Sequence, residues 1–159
     1  MKKKTITPSI VEEPMIAYGA LNCTPMSMIM GGAAANVSDF DLLQLARKGI
    51  SKKSLLALAK QISLTIEEIA GVMHISERTL QRYTPDTLVK TEHADRAIEL
   101  ALLFERGIEV LGSEKAFSSW VKTPNFALGG EVPFHLLDTH IGFTMVSDVL
   151  GRIEQGIFS

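Results

Sequence analysis

The sequence contains a single cysteine, Cys23, in 159 residues. That excludes an intramolecular disulfide and a thiolate zinc cluster, and a reducing cytoplasm is the simplest compartment for such a chain. Histidine is also sparse. His74, His93, His135 and His140 form no H-E-x-x-H or comparable ligand spacing, so they are expected to pack or to face solvent, and no metal site is expected. Charge is missing altogether between Pro14 and Ser38, which raises a membrane span. Asn22, Thr24, Pro25, Ser27 and Gly31-Gly32 interrupt that stretch, so a membrane helix is not expected. Gly31-Gly32 lacks a following Gly-Lys-Ser/Thr, so it makes no phosphate loop, and no cofactor is expected. Lys2, Lys3 and Lys4 invite a signal-peptide reading. Glu12 and Glu13 precede the apolar stretch and Pro8 and Pro14 break it, so a signal peptide is not expected. Ser118, Ser119, His135, Asp138 and His140 include the residue types of a hydrolase site, but no nucleophile-elbow pattern organises them and no catalytic residue is assigned.

What the chain has in quantity is apolar residues, 46% of the total, enough to build a core in one domain or two small ones. The net charge of −2 is unevenly distributed. Residues 1–46 carry three Lys/Arg against four Asp/Glu, residues 47–96 nine against six, and residues 97–159 four against eight. A basic middle followed by an acidic C-terminal part suggests two different partners. Three regions follow: an arm over 1–37, a helical unit over 38–96 and a second unit over 97–159. The arm is expected to be irregular and to pack on a neighbouring subunit through Met15, Met26, Met28 and Met30, flexible apolar side chains suited to such a surface.

From Ser38 onward the apolar spacing is helical throughout, so the fold class is all-α with no strand in the basic unit. Ser38 with Asp41 three residues on starts a helix that Gly49 ends, with Leu42, Leu43, Leu45 and Ala46 on its apolar side. Ser51 starts the next, with Leu55, Leu56, Leu58, Ala59 and Ile62 at helical spacing. After Thr84-Pro85-Asp86, a turn signal, a long helix carries Ala94, Ala97, Ile98, Ala101, Leu102 and Ile108 as a stripe, with Glu99, Glu105 and Glu109 on its polar side, and stops at Gly112.

The most informative stretch is Thr65–Tyr83. Thr65 and Glu68 form a capping-box pattern. Ile66, Ile69, Ala70 and Met73 make one apolar face, Ser76 can cap a second helix, and Leu80 and Tyr83 give that helix its buried side. Only Met73-His74-Ile75 lies between, which is the spacing of a helix-turn-helix. His74 occupies the turn position where glycine is usual, and histidine accepts positive φ better than most residues. In such a unit the second helix enters the major groove of DNA. Ser76, Glu77, Arg78, Thr79, Gln81 and Arg82 would face base edges, where Arg can donate two hydrogen bonds to guanine and Gln can pair with adenine. Lys52 and Lys53 would touch phosphates. The plainer alternative is an αα-corner with solvated arginines.

From Ser113 the texture changes. Seven of the ten aromatic residues lie between Phe104 and Phe158, so the C-terminal unit is expected to have a small core of its own. Ser113 caps a helix whose Ala116, Phe117 and Trp120 face inward, Pro133 opens a short helical turn, and a last helix is expected from Phe143 to about Gln155.

The run W-x-x-x-P-N-x-A-L-G-G-x-x-P-x-x-L-L-D-T from Trp120 to Thr139, followed by Gly142 and the ending V-L-G-R-I-E-x-G, resembles the toxin-binding domain of the Xre/MbcA/ParS antitoxins. Upstream, a helix-turn-helix ending T-L-x-R and Asp95-Arg96 at the start of a long helix are similar to the same family, so the resemblance covers roughly Gly49 to Phe158. It implies an antitoxin that silences a RES-domain toxin, an enzyme that degrades NAD, and that represses its own promoter. On that reading the toxin-binding residues are Leu150, Arg152, Ile153, Glu154, Ile157, Phe158 and Ser159, with the C-terminal segment covering the toxin's active site. A homodimer is expected because one helix-turn-helix reads only a few base pairs. The arm and the long helix Ala94–Leu111 are its candidate surfaces. The rival reading is a transcription regulator whose C-terminal unit binds a small effector.

Overall fold

The structure is a computed structural model that describes residues 24–30 and 37–157. Helix α1 spans Pro25–Met30, α2 Asp39–Lys48, α3 Lys52–Gln61, α4 Ile66–Val72, α5 Glu77–Arg82, α6 Thr91–Leu111, α7 Glu114–Val121 and α8 His140–Glu154, and two 3-10 turns cover Phe126–Leu128 and Pro133–Leu136. The fold is all-α, as the helical spacing implies. Most starts are capped where the sequence places a Ser or Thr. Ser38 and Thr65 form full capping boxes with Asp41 and Glu68, and Ser51, Ser76, Ser113 and Thr139 each accept a backbone N–H at the start of α3, α5, α7 and α8. The last helix begins at His140, three residues before the expected Phe143, because the Thr139 hydroxyl accepts from Gly142 N–H.

One expectation is corrected. The basic unit does contain strand: β1, Ile50–Ser51, pairs antiparallel with β2, Leu88–Val89. The ladder is too short to leave an alternating pattern in sequence. It exists because α3 starts beside it: the first N–H groups of a helix have no partner within the helix, and those of Lys52 and Lys53 donate to the Thr87 and Pro85 carbonyls. Ile50 and Val89 are both buried beneath it.

Helix α6 is the axis of the molecule. It is 21 residues long and packs against α1, α2, α7 and α8. Ala94, Ala97, Ile98, Leu100, Ala101, Leu103 and Phe104 are all buried. At Gly107 a side chain would not fit, since an added Cβ would run into the Phe117 ring. That approach lets Phe117 stand edge-on to Phe104, ring centres 4.7 Å apart, with Trp120 stacked on its other side at 5.8 Å.

Because α6 serves both units, the C-terminal unit has no separate core: its buried Phe117, Val121, Val146 and Leu150 are continuous with Leu55, Leu58, Ile69 and Leu80. The division expected at residues 96 and 97 falls inside this helix. The arm is also different from expectation where it is described. Pro25–Met30 is helical and packs on this chain's own α3 and α6, with Met26 and Ile29 in the core. Met26 N–H donates to Glu105 Oε1 at 3.0 Å, so Glu105, expected on a polar face, supplies the anion at the start of α1. Met15 lies outside the described residues. The apolar stripe of Ala94–Leu111, expected to be open to a second copy, is mostly consumed within the chain. Its exception is Leu102, 41% exposed beside a cleft between α6 and α8. Ile66, expected on the apolar face, is 43% exposed: as the first residue of α4 its side chain leans back toward the helix start. Among the described residues no helix is long and apolar enough to cross a membrane.

An ion pair fastens the two units together at their edge. Lys122, just after α7, donates to Glu68 Oε1 at 2.9 Å. Burial pushes the Glu68 carboxyl up, but the Thr65 N–H, the Lys122 ammonium and the Thr65 hydroxyl outweigh it and hold the group below its ordinary value of 4.5. Asp41 is lowered too, by the Ser38 hydroxyl and N–H. A carboxylate lowered in the folded state adds stability above its unfolded pKa, and that stability is lost as pH falls through the folded value. The stability difference between wild type and Glu68→Gln should therefore be at most about 1 kcal/mol at neutral pH. Urea titrations across pH should show it closing below the ordinary 4.5. Gly107→Ala should lower stability by about 1–3 kcal/mol through overpacking against Phe117, read as a lower Tm in a thermal melt.

Candidate nucleic-acid and protein interfaces

Helices α4 and α5 pack against each other, and Ala70 is buried there with Ile69, Met73, Ile75 and Leu80. The corner itself is made by His74, whose φ is +55°, the left-handed value that the turn requires. Two bonds fix it: His74 N–H donates to the Gly71 carbonyl and Ile75 N–H to that of Ala70. The helix-turn-helix geometry read from the sequence is thus present with histidine in the glycine position.

All six residues expected on the reading face of α5, namely Ser76, Glu77, Arg78, Thr79, Gln81 and Arg82, are exposed. Some are engaged with one another. The Ser76 and Thr79 hydroxyls share a hydrogen bond of 2.7 Å, and Gln81 Nε2 donates to Glu77 Oε1 at 2.8 Å. Arg78 and Arg82 enter no ion pair or side-chain hydrogen bond among the described residues, so their guanidinium groups are available to an anionic partner. Lys53 is exposed nearby. Lys52 is engaged differently. Its Nζ donates to the Gln81 and Tyr83 carbonyls at 3.1 and 2.7 Å. It caps the C-terminal end of α5, where a cation meets the negative end of the helix dipole, and so supports α5 instead of standing free as the expected phosphate contact would.

The helix-turn-helix corner is also bonded to the rest of the chain, which the sequence did not reveal. His74 Nε2 lies 2.6 Å from the Asp138 carbonyl, in the loop before α8. His93 Nδ1 lies 2.7 Å from the Met73 carbonyl. Arg96, on α6, places its guanidinium 6.0 Å from the Phe143 ring centre. Among the described residues its buried NH1 has no hydrogen-bond partner. The seam is therefore lined by side chains from three elements that sequence spacing could not bring together.

In the C-terminal unit the expected contact residues divide. Leu150 is fully buried and belongs to the core, so it offers no free surface, and Ile153 is partly buried against that core. This corrects the assignment of Leu150, which shares the inward stripe of α8 with Val146 and Val149. Glu154 pairs with Arg106 at 3.3 Å, and Arg106 also donates to Ser147 Oγ. Arg152 and Ile157 are exposed. Gly156, at φ +70°, ends α8 by letting Ile157 N–H return to the Arg152 carbonyl. Phe158 and Ser159 lie outside the described residues. The hydrolase-type residues do not converge. Ser118 and Ser119 line a cavity with Ser63 and Lys122. His140 lines the cleft between α6 and α8, where its Nδ1 meets Glu99 at 2.7 Å.

A family described as the antitoxin Xre-like helix-turn-helix domain matches residues 41–102. A second, described as the antitoxin Xre/MbcA/ParS C-terminal toxin-binding domain, matches residues 106–156. The chain is 28% identical over 120 residues to antitoxin Xre of Yersinia enterocolitica, covering 74% of this chain and 81% of that protein. It is 27% identical over 137 residues to the Prs ADP-ribosylating antitoxin of a Sphingobium species, covering 80% and 86%. With an exposed second helix in the first matched region and the long W-to-T motif running from the end of α7 through the two 3-10 turns to the cap of α8 in the second, the chain belongs to the Xre/MbcA/ParS antitoxins, a regulatory and non-enzymatic family.

Proposed function

We propose that this antitoxin neutralises a RES-domain toxin that degrades NAD and, as a cytoplasmic homodimer, represses the promoter of its own operon. The observation that carries the reading is the pairing of two matched regions on one core, a helix-turn-helix and a toxin-binding domain. A relative named for ADP-ribosylation supports a partner that consumes NAD, since that reaction cleaves NAD and transfers its ADP-ribose. Arg78 and Arg82 support operator binding: they are exposed on α5 in the most basic segment of the chain. Dimerisation would double the short site that one helix-turn-helix reads. Phe40 and Leu43, exposed on α2, are apolar side chains of that unit available to a second copy.

For the toxin, we assign the end of the chain as the part that covers the active site. Arg152 and Ile157 carry this reading, since both are exposed and Gly156 turns the backbone out of α8 between them. Glu154 would take part if it exchanged its pair with Arg106 for a toxin group.

Two measurements test the halves separately. Arg78→Ala with Arg82→Ala should abolish retardation of the upstream DNA while toxin binding persists. Each lost base contact costs about 1–3 kcal/mol. Unchanged retardation would refute the assignment. Removing residues 157–159 together with Arg152→Ala should weaken neutralisation and leave DNA retardation intact. Full protection of cells at matched expression would place the inhibitory contact elsewhere.

A further inference from the structure

Resting on the toxin-binding reading of residues 106–156, we propose that Phe126 is an aromatic anchor for the toxin, and that the contact surface extends from it onto the solvent face of α8 at Ile141 and Met145. Phe126 is 99% exposed, Ile141 73% and Met145 43%. Singly exposed apolar side chains are ordinary on protein surfaces. Phe126 differs in how it is held. Its turn is cross-braced: Ala127 N–H donates to Asn125 Oδ1, Gly130 N–H to the Asn125 carbonyl, and Asn125 N–H to that of Glu131, all at 2.9–3.0 Å. Leu128 of the same turn is buried, and the turn packs against α8. The backbone that carries the ring is thus fixed before any partner arrives, which removes most of the ordering cost of binding.

On α8, Gly142, Val146, Val149 and Leu150 face the core. Ile141, Met145 and Arg152, spaced by four and seven residues, fall together on one exposed flank of the helix, about 100° round from those core-facing positions. That flank is apolar where it starts and charged at Arg152, and Ile157, just past the end of α8, is exposed as well. The proposed contact surface runs along this flank from the turn that carries Phe126, which packs on α8, toward the segment assigned to the active site. The occupant is a protein and not nucleic acid, because residues 97–159 carry eight Asp/Glu against four Lys/Arg, and a phosphate backbone would be repelled. An exposed aromatic ring on the turn and an adaptable Met on the helix it packs against suit an apolar pocket on a folded partner.

The test pairs the full chain with the purified product of the adjoining reading frame. Phe126→Ala, and separately Ile141→Ser with Met145→Ser, should each raise Kd, the first by on the order of thirtyfold, as expected for an anchor at an interface centre. Tm and operator retardation should stay at wild-type values for Phe126→Ala, since the ring has no intramolecular burial to lose. If the wild-type chain fails to bind that protein, the toxin-binding reading falls and the anchor with it. If the wild type binds and the variants match it within about twofold, the anchor is overturned while the reading stands. If Phe126→Ala instead halves the mass of the free chain in light scattering and leaves toxin affinity unchanged, the occupant is a second copy and the proposal is wrong.

Discussion

Helix α6 can be buried on several sides only because small side chains alternate with large ones along it. Ala94, Ala97 and Ala101 admit neighbouring helices closely, and Gly107 admits the Phe117 ring itself. Everything else in the chain is positioned from that axis. Helix α1 and α2 close one part of it, and α7 and α8 close another. Close packing of this kind leaves little freedom for one unit to move against the other, since interiors packed to crystal-like density resist sliding.

That shared axis changes what a two-part antitoxin means physically. The corner of the helix-turn-helix is bonded to the loop before α8 through His74 and to α6 through His93. Lys122 and Glu68 add an ion pair at the edge. Each bond alone is modest, and hydrogen bonds typically contribute about 0.5–1.5 kcal/mol net. Together they set α5 in a definite position relative to α8. Lys52 completes this by holding the far end of α5. Helix α5 is six residues long, too short to be stable alone, and its form depends on these tertiary supports.

The surfaces left over are chemically unlike each other. Helix α5 offers Arg78 and Arg82 without intramolecular partners among the described residues, whereas the C-terminal unit offers Phe126, Ile141 and Met145 in an acidic setting. The local charge around α5 favours an anion, and that of the acidic C-terminal unit disfavours one.

Local signals were sufficient for much of this protein. The capping boxes at Ser38 and Thr65, the corner at Met73-His74-Ile75 and the helical spacing were legible because each depends on residues within a few positions of one another. So was the family motif from Trp120 to Thr139, and so was the exposure of the six α5 residues, since the apolar side of a short helix defines its other side. The sequence could not tell that Leu150 points inward and Arg152 outward until α8 was docked, that Lys52 would turn from phosphate to the end of α5, or that Ile50 and Val89 would pair across 39 positions of chain. Nor could it tell that Met26 and Ile29 would enter this chain's own core, or that Phe126 would stand clear of it. In each case the outcome rests on which distant element occupies the neighbouring space, and tertiary packing alone decides that.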